Sequence, residues 1–136
     1  MNDLELAKTI MKEKNLSLVF VRNNKIIFES KSSGIKDLFL AITNFEVKGS
    51  SVADKIVGKA AAFLLAFSQV KEVFASVLSK AALKVLKENK IFFEYESLVE
   101  KILNRNKNDI CPFEKAVLNC EDPEKGFLIL KKVLKF

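Results

Sequence analysis

The chain has 136 residues, of which 49% are hydrophobic and 29% charged, with four Gly and two Pro. That balance is globular; it excludes a disordered, collagen-like or linker-dominated chain, and the length suits a single domain over residues 1–136. The net charge is +6, and the lack of histidine, with only two cysteines, removes histidine-based metal sites and every Ser-His or Cys-His catalytic arrangement. In chain order, Leu4, Leu6, Ala7, Ile10 and Met11 recur near helical spacing between charges, which predicts an amphipathic helix from Asp3 to Asn15. The apolar run Leu16 to Val21, then Asn23-Asn24, then KIIFES predicts a β-hairpin, because Asn tolerates the positive φ of a tight turn. Gly34 to Asn44 reads as a short helix and Phe45 to Ser50 as a loop. Ser51 to Ser68 reads as one helix, apolar on every side beyond Lys59 and so buried all round. Val70 to Leu78 is expected as a strand, Lys80 to Asn89 as an amphipathic helix, and Ile91 to Glu96 as a strand. Leu98 to Asn104 fits either a helical turn or a last strand. Pro112 and Pro123 stand at favourable first positions of two closing helices, the earlier running from Cys111 to Asn119.

Strands that alternate with helices need crossover connections, so the later strands should be parallel and covered on both faces. The expected fold class is α/β, a three-layer α/β/α arrangement around a mixed sheet.

Of the basic residues only Arg22 and Arg105 are arginines, and the lysines are spread along the chain. Lysine substitutes poorly for the arginine fork that reads base edges, so no specific nucleic-acid binding is expected. Cys111 and Cys120 form neither a zinc knuckle nor a disulfide framework. The start MNDLELAKTI lacks the apolar core of a secretory signal, and the run Ala60 to Phe67 is too short to cross a bilayer. A soluble cytoplasmic protein with no membrane partner, no metal and no cofactor is therefore expected.

The stretches LSLVFVRNNKIIFES at 16–30, SVADKIVGKAAA at 51–62 and LNRNKNDICPFEKAVLN at 103–119 carry a resemblance. With their spacing they resemble a prokaryotic family known as domain of unknown function 1893, and the element order resembles the cytidine deaminase-like fold. The resemblance implies that fold and no activity. In zinc deaminases a His or Cys two residues before Glu opens the helix after the hairpin, and a PCxxC opens the next helix. The corresponding places are expected at Ser51 to Lys55 and at Leu78 to Leu83, where no zinc ligand stands. Without three nitrogen or sulfur ligands there is no activated zinc water and hydrolytic deamination has no nucleophile.

Three constellations carry chemistry. Asp54, Lys55, Gly58 and Lys59 cluster at the start of the expected buried helix. Lys55 and Lys59 would share a face there, and Gly58 is costly inside a helix unless a ligand or another chain segment approaches closely. An anion at the helix N-terminus, phosphate or carboxylate, would satisfy all of these; the alternative is that the lysines reach solvent or pair with Asp54 and another acid. The second constellation is Cys111-Pro112-Phe113-Glu114. Cys111 falls at the N-cap, where the helix dipole favours a thiolate, and Glu114 at the third position can fold back on the N-cap amide. The alternative is a small buried anchor; Cys120, which closes a helix at the negative end of its dipole, is expected to be inert. The third is Asn104-Arg105, suited to capturing a carboxylate or phosphate, or else to a surface ion pair; Asn106, Asn108 and Asp109 supply turn chemistry. In an open α/β sheet ligands collect beyond the carboxyl ends of parallel strands, and Ser76 to Ser79 lies at such an end.

The expected function is a binding module for a small anionic or nucleotide-like ligand, held by Asp54, Lys55, Gly58, Lys59, Asn104, Arg105 and Glu114. A second reading is a metal-independent enzyme with Cys111 as nucleophile or Lys59 as base, Lys59 losing its proton easily among apolar neighbours. A third is a dimeric interaction domain with a vestigial pocket, the twelve Phe residues supplying apolar surface for a homodimer.

Overall fold

The computed structural model describes residues 1–32 and 34–136. The first helix, α1 (Asp3–Glu13), is capped by the Asn2 side chain. Strands β1 (Leu18–Arg22) and β2 (Lys25–Ser30) form the expected hairpin. Asn23 and Asn24 both have positive φ, at 54° and 63°, as a turn that matches the strand twist requires. Their amides donate to the two Asp3 carboxylate oxygens, each at 2.9 Å, which ties the turn to the first turn of α1.

Helix α2 (Ile35–Asn44) follows, then β3 (Ser51–Val57), α3 (Lys59–Phe67), β4 (Glu72–Ser79), α4 (Lys80–Glu88) and β5 (Phe92–Val99). The single expected helix from Ser51 to Ser68 is thus a strand and a helix that meet at Gly58. The strand is central: Asp54 lies opposite Leu18 of β1 on one side and Ala75 of β4 on the other. Central strands are buried on both faces, which suppresses the alternation that would mark them in sequence. Val52, Ala53, Ile56 and Val57 also happen to suit a helical face. The β-branched Val52, Ile56 and Val57, closed by Gly58, are the signal that favours a strand.

The sheet order is β2-β1-β3-β4-β5; β1 is antiparallel to β2 and β3, while β3, β4 and β5 run parallel. Strand β5 extends through Leu98 and Val99, which settles the ambiguous stretch as strand at its start. One face of the sheet packs Val19, Val21, Ala53 and Phe74 against Leu4, Ala7 and Met11 of α1. The other packs Leu18, Phe20, Val52, Val73 and Ala75 against α2, α3 and α4. The result is the expected three-layer α/β/α arrangement. Every residue from Ala60 to Leu65 is buried, because α6 (Pro123–Val133) covers the side of α3 away from the sheet. Short α5 (Pro112–Ala116) precedes it, and both closing helices begin at the proline the sequence marks. Among the described residues no helix is long and apolar enough to cross a membrane.

Candidate functional site

Glycine 58 is the N-cap of α3 and has no side chain to satisfy the helix's first N–H groups. Those groups are satisfied from far along the chain. Glu114 Oε1 accepts from the Lys59 N–H at 2.7 Å, and Oε2 from the Ala60 N–H at 2.8 Å. A Cβ on residue 58 would stand 2.3 Å from Oε1, so only glycine leaves room for the carboxylate. The close approach expected at Gly58 is real, and the approaching group is an anion of the chain itself. The expected reach of Glu114 back to its own N-cap is corrected: the Cys111 N–H donates instead to the Ile102 carbonyl at 2.9 Å. An open pair of N–H groups across the gap, with no Cβ in the way, is the better seat for a carboxylate than an amide already bonded.

This seat pins one wall of a cavity of about 540 Å³. The cavity lies beyond the carboxyl end of β3, between the starts of α2 and α3 and the segment 102–114. Its apolar lining comes from Ile35, Leu38, Ile56, Ala60, Ala61, Ile102, Leu103, Pro112 and Phe113, and its polar groups from Asp54, Lys55, Asn104, Arg105, Asn106, Cys111 and Glu114. Six of the seven residues expected to bind a ligand therefore line one cavity: Asp54, Lys55, Gly58, Asn104, Arg105 and Glu114. Lys59 does not. Lys55 and Lys59 sit on a strand and a helix, and they share no helical face. The Lys59 ammonium donates to the Leu118 carbonyl at 3.0 Å, lies 3.5 Å from the Glu121 carboxylate and sits over the Phe63 ring. It borders a smaller cavity of about 180 Å³ that Ser79 also lines. The Lys59 ammonium is therefore engaged by a carbonyl, a carboxylate and an aromatic face outside the larger cavity.

Asp54 is the deep polar group. It is half-buried, its carboxyl hemmed in by protein, and no cation among the described residues pairs with it. Burial pushes its pKa up from an ordinary 3.8 to about 7, against the pull of the Ile56 and Lys55 backbone N–H groups. Lys55 is half-buried and Arg105 exposed, and neither makes an ion pair among the described residues. Arg105 rides on a turn built by its neighbours. Asn104 donates through its side chain to Asn108 Oδ1 at 2.9 Å, Leu103 bridges Ile110, and Lys115 of α5 pairs with Asp109, holding that carboxyl below its usual range.

Cys111 is half-buried on the cavity wall, whereas Cys120 is buried with its Sγ 3.3 Å from the Asp122 carbonyl. Helix α5 spans only five residues, so access separates the two thiols more than any dipole does. Alkylation of the native protein at pH 8 is expected to label Cys111 at least tenfold faster than Cys120, read by peptide mapping. Equal rates, or faster labelling of Cys120, would remove Cys111 from the candidate site.

The model of a family described as a domain of unknown function, DUF1893, matches residues 6–134. The chain belongs to the DUF1893 family. The crystal structure of a DUF1893 family protein from Thermotoga maritima is 39% identical, with a TM-score of 0.90 over 99% of this chain and 90% of that one. Two further structures share the fold at low identity. Acinetobacter baumannii RibD is 17% identical, with a TM-score of 0.51 over 69% of this chain and 34% of that chain. A Thermotoga maritima diaminohydroxyphosphoribosylaminopyrimidine deaminase/5-amino-6-(5-phosphoribosylamino)uracil reductase is 15% identical, with a TM-score of 0.52 over 85% of this chain and 42% of that chain. None of the curated proteins matches the sequence.

The deaminase-like fold relocates the places where the resemblance puts metal ligands. The helix after the hairpin is α2 and the next is α3, so these places are residues 34–37 and 58–62, in place of Ser51 to Lys55 and Leu78 to Leu83. The shift follows from Ser51–Val57 being strand. Neither place carries a thiol or an imidazole, and Glu114 holds the backbone N–H groups of the second. Among the described residues no group of three or more His, Cys, Asp or Glu side chains is arranged to hold a metal ion. The donor set does not fit a catalytic zinc.

Proposed function

We propose that this DUF1893 chain is a binding module for a small anionic or nucleotide-like ligand. One observation carries the reading: Lys55 and Arg105 border a cavity of about 540 Å³ with no carboxylate paired to either among the described residues. That volume is of the size that encloses small molecules. Two cations left without partners beside it supply the charge for a phosphate or carboxylate, and Arg105 the bidentate geometry. The N-terminus of α3 takes no part, since Glu114 already occupies it.

Thermal unfolding tests the reading. Inorganic phosphate, ribose 5-phosphate and the four ribonucleoside 5′-monophosphates are titrated against the protein. At a ligand concentration of about 100 Kd the stabilisation is about 2.7 kcal/mol, a rise in Tm of several degrees. Arg105→Ala and Lys55→Ala each reduce that rise, while Lys59→Ala, which removes a cation outside the cavity, leaves the ligand-induced increment unchanged. A melting temperature unmoved by every probe overturns the reading.

The second reading, a metal-independent enzyme, now rests on Cys111, the nucleophile that shares the cavity with Asp54. Loss of ligand binding on alkylation of Cys111 alone would support a role for that thiol at the site, and unchanged binding would remove it.

A further inference from the structure

The two edges of the sheet, β2 and β5, are built differently. Strand β2 opens on a charged residue, Lys25, and bulges where its pairing with β1 slips and leaves Ile27 without a partner. A lysine and a bulge both discourage a further strand from joining an edge. Strand β5 has neither. It pairs with β4 in constant register, and its eight residues include no Pro, Gly or Lys. Among the described residues, the backbone of Phe92–Val99 makes no hydrogen bond beyond the β4 ladder, so its outer row of N–H and C=O groups is open. Phe92, Tyr95 and Leu98 are exposed along it, at 58%, 42% and 39%.

Successive side chains of a strand take opposite faces. Glu94 and Glu96 reach Lys8 and Lys12 of α1, at 3.0 Å and 3.8 Å, so Phe92 and Leu98 share the α1 face with them. Tyr95 stacks with Phe93 on the other face. A second β5 laid antiparallel about a two-fold axis sets side chains of one face opposite each other, and the residue that meets itself on the axis defines the register. With Tyr95 on the axis, Phe92 of one copy meets Leu98 of the other, Phe93 meets Ser97, and the two Tyr95 rings meet. All three exposed apolar side chains then have apolar partners. Glu94 meets Glu96, a repulsion the α1 lysines offset, since four carboxylates come together with four ammoniums. Shifting the axis by one residue undoes this: on Glu96 it sets Phe92 against Glu100 and Glu94 against Leu98, and on Glu94 it sets Phe92 against Glu96.

We propose that β5 is a docking edge for a second copy of this chain, the two strands pairing antiparallel about Tyr95 and joining two five-stranded sheets into one. The occupant is a second copy because the apolar and charged positions of β5 complement themselves in that register and in neither adjacent one. No residue of β5 lines the larger cavity, so the pairing leaves the cavity open and stands independently of the binding reading.

Sedimentation velocity over a dilution series from about 1 to 200 μM tests it, and a monomer–dimer equilibrium is the expected result. Tyr95→Lys, which brings two ammoniums together on the axis, is expected to raise the dimer Kd about tenfold or more. Ile26→Lys, on the opposite edge of the sheet, leaves the Kd unchanged. Disulfide trapping reads the register without relying on the lysine variant. In a Cys111→Ser background, Tyr95→Cys is expected to form an intermolecular disulfide under mild oxidation, because directly opposed residues have Cα atoms about 4.5–5.5 Å apart. Ser97→Cys is expected not to, because in this register the two positions lie roughly 13 Å apart along the strands. A protein monomeric throughout the series overturns the proposal. So does a dimer that Tyr95→Lys leaves intact or Ile26→Lys weakens, or trapping through Ser97→Cys as fast as through Tyr95→Cys.

Discussion

Glu114→Ala is expected to destabilise the protein by about 2–4 kcal/mol, a large share of what a domain of this size possesses. Two hydrogen bonds to a charged acceptor are lost, and the Lys59 and Ala60 N–H groups at the start of a buried helix lose their partner. Gly58→Ala should cost a similar amount for the same reason. Residue 58 has an extended backbone, φ −98° and ψ −174°, which alanine adopts without strain, so the cost is the displaced carboxylate alone. Both changes remove one interaction, so the double variant should be little worse than either single one, with a coupling energy close to the single cost. Urea denaturation of the four proteins measures this. Additive costs would show that Gly58 and Glu114 act separately, and that the carboxylate does not hold the cavity wall to α3.

The second large effect is a pH dependence. Folded, Asp54 keeps its proton up to about pH 7; unfolded, it releases it near 3.8. Between those values the native state binds more protons, so stability falls as pH rises. The contribution is fully present below about pH 4, is lost as pH passes through 7, and is flat beyond. The span corresponds to about 4 kcal/mol at most, and to about 2–4 kcal/mol for a half-buried group that solvent partly reaches. Asp54→Asn removes the slope and should be the more stable protein at pH 8. The measurement is the difference in unfolding free energy between variant and wild type from pH 4 to pH 9. Subtraction cancels carboxylates such as Asp109, whose lowered pKa acts in the opposite sense. A flat difference curve would place the Asp54 carboxyl in water, outside the cavity's interior.

Family membership gives these residues a shared context and no activity. The DUF1893 protein from Thermotoga maritima has the same fold along nearly its whole length, and the more distant structures extend that fold to RibD and to a protein named as a deaminase/reductase. The two places where that fold would put zinc ligands, residues 34–37 and 58–62, carry no thiol or imidazole, and at the second a glutamate from α5 sits on the backbone N–H groups of α3.

The sequence by itself determined whatever depends on neighbouring residues. Asn23 and Asn24 adopt the positive φ the hairpin turn needs, Pro112 and Pro123 open their helices, and the apolar run after Lys59 becomes a helix buried from Ala60 to Leu65. These follow from steric and hydrophobic preferences within a few residues. The tertiary structure decided the rest. Ser51–Val57 is a strand because β1 and β4 pair with it from distant parts of the chain, and a strand buried on both faces carries no periodic mark. Glu114 bonds α3 rather than its own N-cap because the fold brings two open N–H groups within reach, and a side chain selects partners by distance in space. Lys55 and Lys59, four positions apart, serve different cavities for the same reason. Asp54 acquires its raised pKa only when the sheet and the helices close around it, since desolvation is a property of surroundings that no local spacing encodes.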